Sequence, residues 1–372
     1  MTSIIYVGMD VHTTNYTLCC YSMEDDRFFA EVQVEPDAKN ILKYLARIEK
    51  QQSRDCRIVC GYEAGCLGYS LYHQLHAHGI DCVILAPTTM MTKPGKRIKT
   101  DCRDARLISK CLAFHTYSPV YIPTEVDDAV KEYIRMRDDA NSALARVKQQ
   151  IIAFCIRHGK IHDGKSYWTN KHLEWLSSLD LGNKILSEVL QEYLIRYYQL
   201  REQVDMYDMR INELAQAEPY RQKVEKLGCF RGIAAHTALS FCVEVGDFRR
   251  FATAQQFASY LGLVPGECSS GDKQQYTGIT KAGNSHLRKL LVETAQVFGR
   301  SATKSGKSVA LKERQAKCDS LTVAYADKAN ARLKKKYFKI AMRSKVNIAK
   351  TAVAREMACF IWGMMTDNIS CA

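Results

Sequence analysis

No apolar run in this 372-residue chain approaches the ~20 residues that a membrane-spanning helix needs. The best candidate, Met357 to Met365, is far too short. The opening stretch "MTSIIYVGMDVH" has no basic segment and carries an acid at Asp10, so it does not read as a secretion signal. There is no C-x-x-C pair among the 15 cysteines. Cys19 and Cys20 are adjacent, and Cys56 and Cys60 are four apart. Those spacings argue against a zinc ribbon, and without export a disulfide framework is not expected. Most of the cysteines read as small buried hydrophobes. A phosphate-binding P-loop is also missing: "SGKS" at 305–308 would need glycine at 301, where Ser301 stands. His73, His76 and His78 form the one histidine cluster, which reads as a solvated helix end before Gly79 rather than a metal site. These absences leave a soluble, intracellular protein as the expectation, and 47% apolar residues are enough to bury a full core.

Excess charge is missing from most of the chain. Residues 1–120 carry 14 basic and 13 acidic side chains, and residues 121–230 carry 16 and 17. Residues 231–372 carry 23 and 10, which accounts for the whole formal net charge of +13. A basic region beside neutral ones points to a polyanionic partner, DNA or RNA.

Three regions follow from pattern. In 1–120, the strands "IIYVGMD" (4–10), "YTLCCYS" (16–22) and "RFFAEVQV" (27–34) are close enough to be antiparallel neighbours. A helix over 37–50 follows, with Ile41, Leu42, Leu45 and Ile48 on one stripe and Asp37 as its N-cap. Then come a strand (57–63), a helix (68–79), a strand (81–87) and a helix from near Thr100. An antiparallel meander running into β-α-β units is the layout of a ribonuclease H-like α/β fold. Residues 121–227 hold two long amphipathic helices, 125–159 and 183–218, expected to form a coiled-coil hairpin for assembly or a helical linker. Residues 228–372 read as a mostly α-helical basic domain, with a polar stretch over 301–336 and a final helix over roughly 338–365.

The stretch "TDCRDAR" (100–106) places Asp101 and Asp104 three apart at a helix start. Taken alone, they complement the positive end of the helix dipole. Asp10 and Glu63 change that reading, because each ends an apolar strand where a solvated acid is not expected. If strands 1 and 4 lie side by side and parallel, both acids project at one sheet edge, with the helix from 100 packed across it. Four carboxylates converging there suit a hard divalent cation, Mg²⁺ or Mn²⁺, and two-metal phosphoryl transfer. Lys96, Arg97, Lys99, Arg103 and Arg106 would then face a nucleic-acid backbone. Further on, Ser269-Ser270-Gly271 sit in a glycine-containing loop followed by Lys281, Arg288 and Lys289, a pattern that alone reads as a turn or a phosphate contact.

"YVGMDVH", "CGYEAGCLGY" and "KTDCRDARLISKCL", with "GIAAHTALSFCVEVGDF" and the serine loop before "ITKAGNSHLRKLL", together resemble the DEDD-type insertion-sequence transposases guided by a bridge RNA. The resemblance implies a RuvC-like metal domain with Asp10, Glu63, Asp101 and Asp104 as metal ligands, and Ser270 as a nucleophile that forms a covalent phosphoserine–DNA link. It implies double-stranded donor and target DNA, a noncoding bridge RNA, and a homo-oligomer, dimer or tetramer, acting in a prokaryotic cytoplasm at the nucleoid. Ala234 departs from the glycine that family members often carry in "G-I-G". Two alternatives stay open: a junction endonuclease using the carboxylates alone, and a non-catalytic nucleic-acid-binding descendant.

Overall fold

The computed structural model describes residues 3–51, 56–90, 100–267, 276–300 and 306–369. The chain divides into two compact units, Met1–Ile122 and Pro123–Ala372. In the first, β1 (Ser3–Val11), β2 (Tyr16–Ser22) and β3 (Arg27–Val34) precede α1 (Ala38–Gln51), β4 (Cys56–Glu63), α2 (Ser70–Ala77), β5 (Asp81–Leu85) and α3 (Asp101–Ala113). The sheet order is β3-β2-β1-β4-β5. β1, β2 and β3 pair antiparallel, and β4 runs parallel to both β1 and β5. This mixed sheet with its helices is compatible with the ribonuclease H-like expectation. Asp37 accepts a hydrogen bond from the Lys39 amide at 2.8 Å and so starts α1 where the sequence places it.

The alternation of β1 decides which residues can meet. Ile5, Val7 and Met9 join the core under α1 and α2, with Ile41, Leu45, Ile48, Leu71 and Leu75. Tyr6, by the same alternation, joins the core on the opposite face, with Leu85, Ile108 and Leu112 of the α3 side. Gly8 and Gly61 face α3 as well. A methyl group on Gly8 would sit 2.0 Å from the Ala105 carbonyl oxygen and 2.4 Å from the Ser109 amide. One on Gly61 would sit 2.8 Å from the Leu112 and Leu85 side chains. The two glycines therefore let α3 lie directly on β1 and β4. Two residues further along each strand, on this same face, come Asp10 and Glu63.

The second unit holds α4 (Glu125–Arg157), α5 (Asn170–Ser177), α6 (Lys184–Gln216), α7 (Arg221–Gly228), α8 (Ala235–Val245), α9 (Ala254–Tyr260), β6 (Pro265–Glu267), β7 (Tyr276–Ile279), α10 (Ser285–Ala295), α11 (Val309–Gln315), α12 (Ser320–Ala341) and α13 (Val346–Met365). α4 and α6 lie antiparallel: Arg137 holds Asp208 through Nε at 2.8 Å, and Phe154 meets Tyr193 at the other end. Thr124 and Asn183 cap their N-termini. The far half of the pair has its own core of Leu144, Val147, Ile151, Leu190, Leu194 and Tyr197, covered by Trp168 and Trp175. The near half sinks Val130, Ile134, Ile211 and Ala215 into the same core as α7 to α10, α12 and α13.

The sequence misplaces the C-terminal helices. The polar reading of 301–336 misses α12, and the final helix begins at Val346 rather than near 338. The stripe of α12 is Thr322, Ala326, Ala329, Leu333 and Tyr337, whose small residues give little hydrophobic signal. A break at Met342–Lys345 then separates two helices that the pattern merges. Among the described residues no helix is long and apolar enough to cross a membrane.

Candidate active site

Thr100 precedes α3 in an extended conformation and accepts the amides of Arg103 and Asp104 on its carbonyl, at 2.9 and 3.1 Å. That turn puts Asp101 and Asp104 in the first turn of a helix already pressed against β1. The carboxylates of Asp10 and Asp101 and a ring nitrogen of His12 all lie within 4.8 Å of one another. The Asp10 side chain is only 15% exposed, and His12 Nε2 approaches its Oδ2 at 3.2 Å. Burial is the main cause that pushes the Asp10 carboxyl above its ordinary range; His12 pulls it down, while the Asp104 and Asp101 charges push it further up. Glu63 ends the neighbouring strand on the same face and is exposed. Glu63 and Asp104 lie outside the tight group formed by Asp10, His12 and Asp101.

This donor set fits a divalent cation. Ligands of one ion sit about 2.0–2.2 Å from it, so opposite donors stand at most ~4.4 Å apart. The observed group, with all its donors inside 4.8 Å and His12 and Asp10 at 3.2 Å, is of that scale. His12 was not singled out from the sequence, although its signal was there: it stands two residues beyond Asp10, just past the end of β1. The cluster of His73, His76 and His78 forms no metal-binding group among the described residues; Tyr72 stacks on His76 and meets His73 edge-on.

Of the basic residues, Arg103 is exposed on α3, and Arg106 is tied to Glu31 of β3 at 2.6 Å. Lys96, Arg97 and Lys99 lie outside the described residues, as do Ser269 and Ser270. The strands that flank 268–275, β6 and β7, pair antiparallel, and their base is firmly held. Gly262 has φ +65° and Gly283 φ +77°; a methyl group on either would meet a backbone oxygen at 2.1 Å, of Ala282 and Tyr260 respectively. Arg288 donates from Nη1 to the Leu261 and Ala282 carbonyls at 2.9 and 3.3 Å. Lys281 is exposed on this turn. Lys289, with Arg137, Asp138, His236 and Glu293, lines a cavity of about 250 Å³.

Beneath that turn is a network the sequence did not reveal. His286 meets Glu244 Oε1 through Nδ1 and Asp138 Oδ2 through Nε2, both at 2.7 Å. Burial alone would lower its pKa; the two carboxylates outweigh burial and push it up to about 9. Burial would likewise raise Asp138, but His236, His286 and Arg137 hold it well below the carboxylate range. His236 Nε2 stands 3.0 Å from Asp138 Oδ1, off the line of a good hydrogen bond.

Known proteins resemble the chain along most of its length. Residues 7–156 match the model of IS110-type DEDD transposases, and residues 225–314 match that of the transposase IS116/IS110/IS902 family. The transposase for insertion sequence element IS1533 of Leptospira borgpetersenii is 32% identical over 340 residues, 90% of this chain and 95% of its own. The putative transposase y4qE of Sinorhizobium fredii is 35% identical over 307 residues, 82% of this chain and 75% of its own. The chain belongs to the IS110 family of DEDD transposases. It is a DNA transposase, an enzyme of insertion-sequence transposition that catalyses DNA strand transfer. A transposase for insertion sequence element IS1111A of Coxiella burnetii is a more distant relative, 25% identical over 268 residues, 68% of this chain and 71% of its own. The DEDD type of this IS110-family transposase implies a divalent metal, in keeping with the Asp–His group at the end of β1. The two family matches between them span Asp10, Glu63, Asp101, Asp104 and Ser270.

Proposed function

We propose that this IS110-family transposase cuts and exchanges DNA strands through a phosphoserine link at Ser270, with Asp10, Glu63, Asp101 and Asp104 holding Mg²⁺ or Mn²⁺. The observation that carries the reading is the meeting of Asp10 and Asp101, 91 positions apart in sequence, at a sheet edge that Gly8 opens to α3. Bound there, a divalent ion supplies charge neutralisation at the scissile phosphate and at the leaving oxygen. The Ser270 hydroxyl oxygen forms a new bond to phosphorus, the phosphorus–sugar oxygen bond breaks, and the proton lost by serine ends on the released sugar hydroxyl. The partly buried Asp10 keeps its carboxylate oriented through β1, while Asp101 and Asp104 ride on the first turn of α3.

In this reading the first unit is a RuvC-like, ribonuclease H-like domain. The pair α4–α6 acts as a coiled-coil element that joins protomers into a dimer or tetramer, so that one protomer's serine serves another's carboxylates. Lys96, Arg97, Lys99, Arg103, Lys281, Arg288 and Lys289 track phosphates of donor and target DNA or of a bridge RNA. Base pairing by that RNA selects the sequence, as in other RNA-guided systems. The excess of positive charge in residues 231–372 suits these polyanionic partners, which would put the protein to work at the nucleoid.

The test uses protein copurified with the element's flanking noncoding RNA, Mg²⁺ and end-labelled junction DNA, resolved on a denaturing gel. Wild type should yield DNA that stays attached to protein, and both Ser270→Ala and Asp10→Ala should lose it. Free nicked DNA from wild type and Ser270→Ala alike, with no attached species, would instead mark a junction endonuclease that uses the carboxylates alone.

A further inference from the structure

The histidine beside the carboxylates has no place in a four-carboxylate site. His12 follows β1 one residue after its end at Val11, with its ring turned to Asp10. Its ring is about half exposed, so no core packing requires it there. Its Nε2 points at Asp10 Oδ2, 3.2 Å away, and shares a 4.8 Å group with the Asp101 carboxylate. Three donors from two elements, β1 with its exit and α3, thus surround one point.

We propose that His12 is a direct ligand of the divalent ion held by Asp10 and Asp101, giving this transposase a mixed nitrogen–oxygen site that favours Mn²⁺ over Mg²⁺. The inference rests on the metal reading of Asp10 and Asp101 set out above. In the free protein the His12 nitrogen faces a carboxylate oxygen. With an ion between them, the same nitrogen presents its lone pair, and the proton of the neutral ring sits on Nδ1. An imidazole in place of one water or carboxylate oxygen makes the site softer. Mg²⁺ keeps to oxygen and holds its waters, whereas Mn²⁺ lies further toward nitrogen-binding metals. A merely hydrogen-bonding His12 would orient Asp10 and leave the metal preference unchanged.

The experiment is pulsed electron paramagnetic resonance of the full chain loaded with Mn²⁺, with calorimetric titration of Mn²⁺ and Mg²⁺ alongside. Wild type should show a ¹⁴N coupling of a directly bound imidazole, which becomes a ¹⁵N coupling when the histidines are ¹⁵N-labelled. His12→Ala should lose that coupling and bind Mn²⁺ more weakly by at least about tenfold, with a smaller change for Mg²⁺. His12→Gln, which retains a hydrogen-bond donor for Asp10, should lose the coupling as well. Mn²⁺ bound in wild type without nitrogen coupling, or a coupling that persists in His12→Ala, overturns the role of His12 and leaves the metal reading intact. Mn²⁺ affinity that is unchanged in Asp10→Ala overturns both. The wild-type spectrum decides the matter even if a variant folds poorly.

Discussion

Gly8→Ala should disturb the active site from behind without touching a carboxylate. Its methyl group would be 2.0 Å from the Ala105 oxygen, 2.4 Å from the Ser109 amide and 3.0 Å from the Ser109 Cα, all backbone atoms of α3. No side chain can swing aside to relieve these contacts. Ordinary nonbonded contact begins near ~3.5 Å, so α3 must retreat by roughly 1.5 Å. Overpacking of this kind costs about 1–3 kcal/mol, occasionally more. Each kcal/mol lowers the melting temperature of a domain of this size by about 2–8 °C. The same retreat carries Asp101 away from Asp10, so Mn²⁺ affinity should fall together with stability. Thermal melts monitored by circular dichroism and calorimetric Mn²⁺ titration read both effects. Gly65→Ala is the control: its added methyl would meet nothing closer than 3.8 Å, and its melting temperature should match wild type or rise slightly. A Gly8→Ala protein with wild-type melting temperature and wild-type Mn²⁺ affinity would refute the close packing of α3 on β1.

Four other outcomes follow from the second unit. His286 holds its proton more tightly folded, at about 9, than unfolded, at 6.5, so its contribution is complete below pH 6.5 and is lost as pH rises through 9. That loss is at most about 3 kcal/mol, and denaturant melts of His286→Gln should show a flatter decline over this window. The depressed Asp138 acts in the opposite sense: its contribution is present above 3.8 and lost on acidification, a dependence that Asp138→Asn should remove in the same melts. Gly283→Ala should lower the melting temperature, because it combines φ +77° with a backbone oxygen 2.1 Å from the new methyl; an unchanged melt would contradict the tight turn. Lys281→Ala and Lys289→Ala should each make DNA binding less salt-dependent, flattening the log–log slope by about 0.9 for each phosphate left without its lysine. An unchanged slope in fluorescence-anisotropy titrations would remove that lysine from the DNA interface.

The first unit was legible because its signals are local. Alternation in "IIYVGMD" and "RIVCGYE", with acids at both strand ends, places Asp10 and Glu63 once the two strands are neighbours, and β1 and β4 do pair in parallel. The helix start at Asp101 follows from the residue types around Thr100. Other features depend on distance in the chain or on weak patterns. His286 finds Asp138 from 148 residues away and Glu244 from 42, and no periodicity announces such partners. The alanine stripe of α12 hides a buried face behind a run of lysines. The long helices α4 and α6 show their amphipathic stripe plainly, but not that one half forms a separate core with α5 while the other half enters the core of the basic region. His12 belongs to neither class: its spacing from Asp10 was visible, but only the approach of Asp101 gives that spacing a chemical meaning.

The central claim, that carboxylates brought together by β1 and α3 drive DNA strand transfer, is tested most directly by Asp101→Asn. The change keeps the size of the side chain and the first turn of α3 while removing one charge. The measurement is the single-turnover rate of junction-DNA cleavage in Mg²⁺ by wild type and variant of equal melting temperature. The account predicts a loss of about a hundredfold or more, the several kcal/mol that a metal-held charge supplies in phosphoryl transfer. An Asp101→Asn protein that cleaves at the wild-type rate would contradict it.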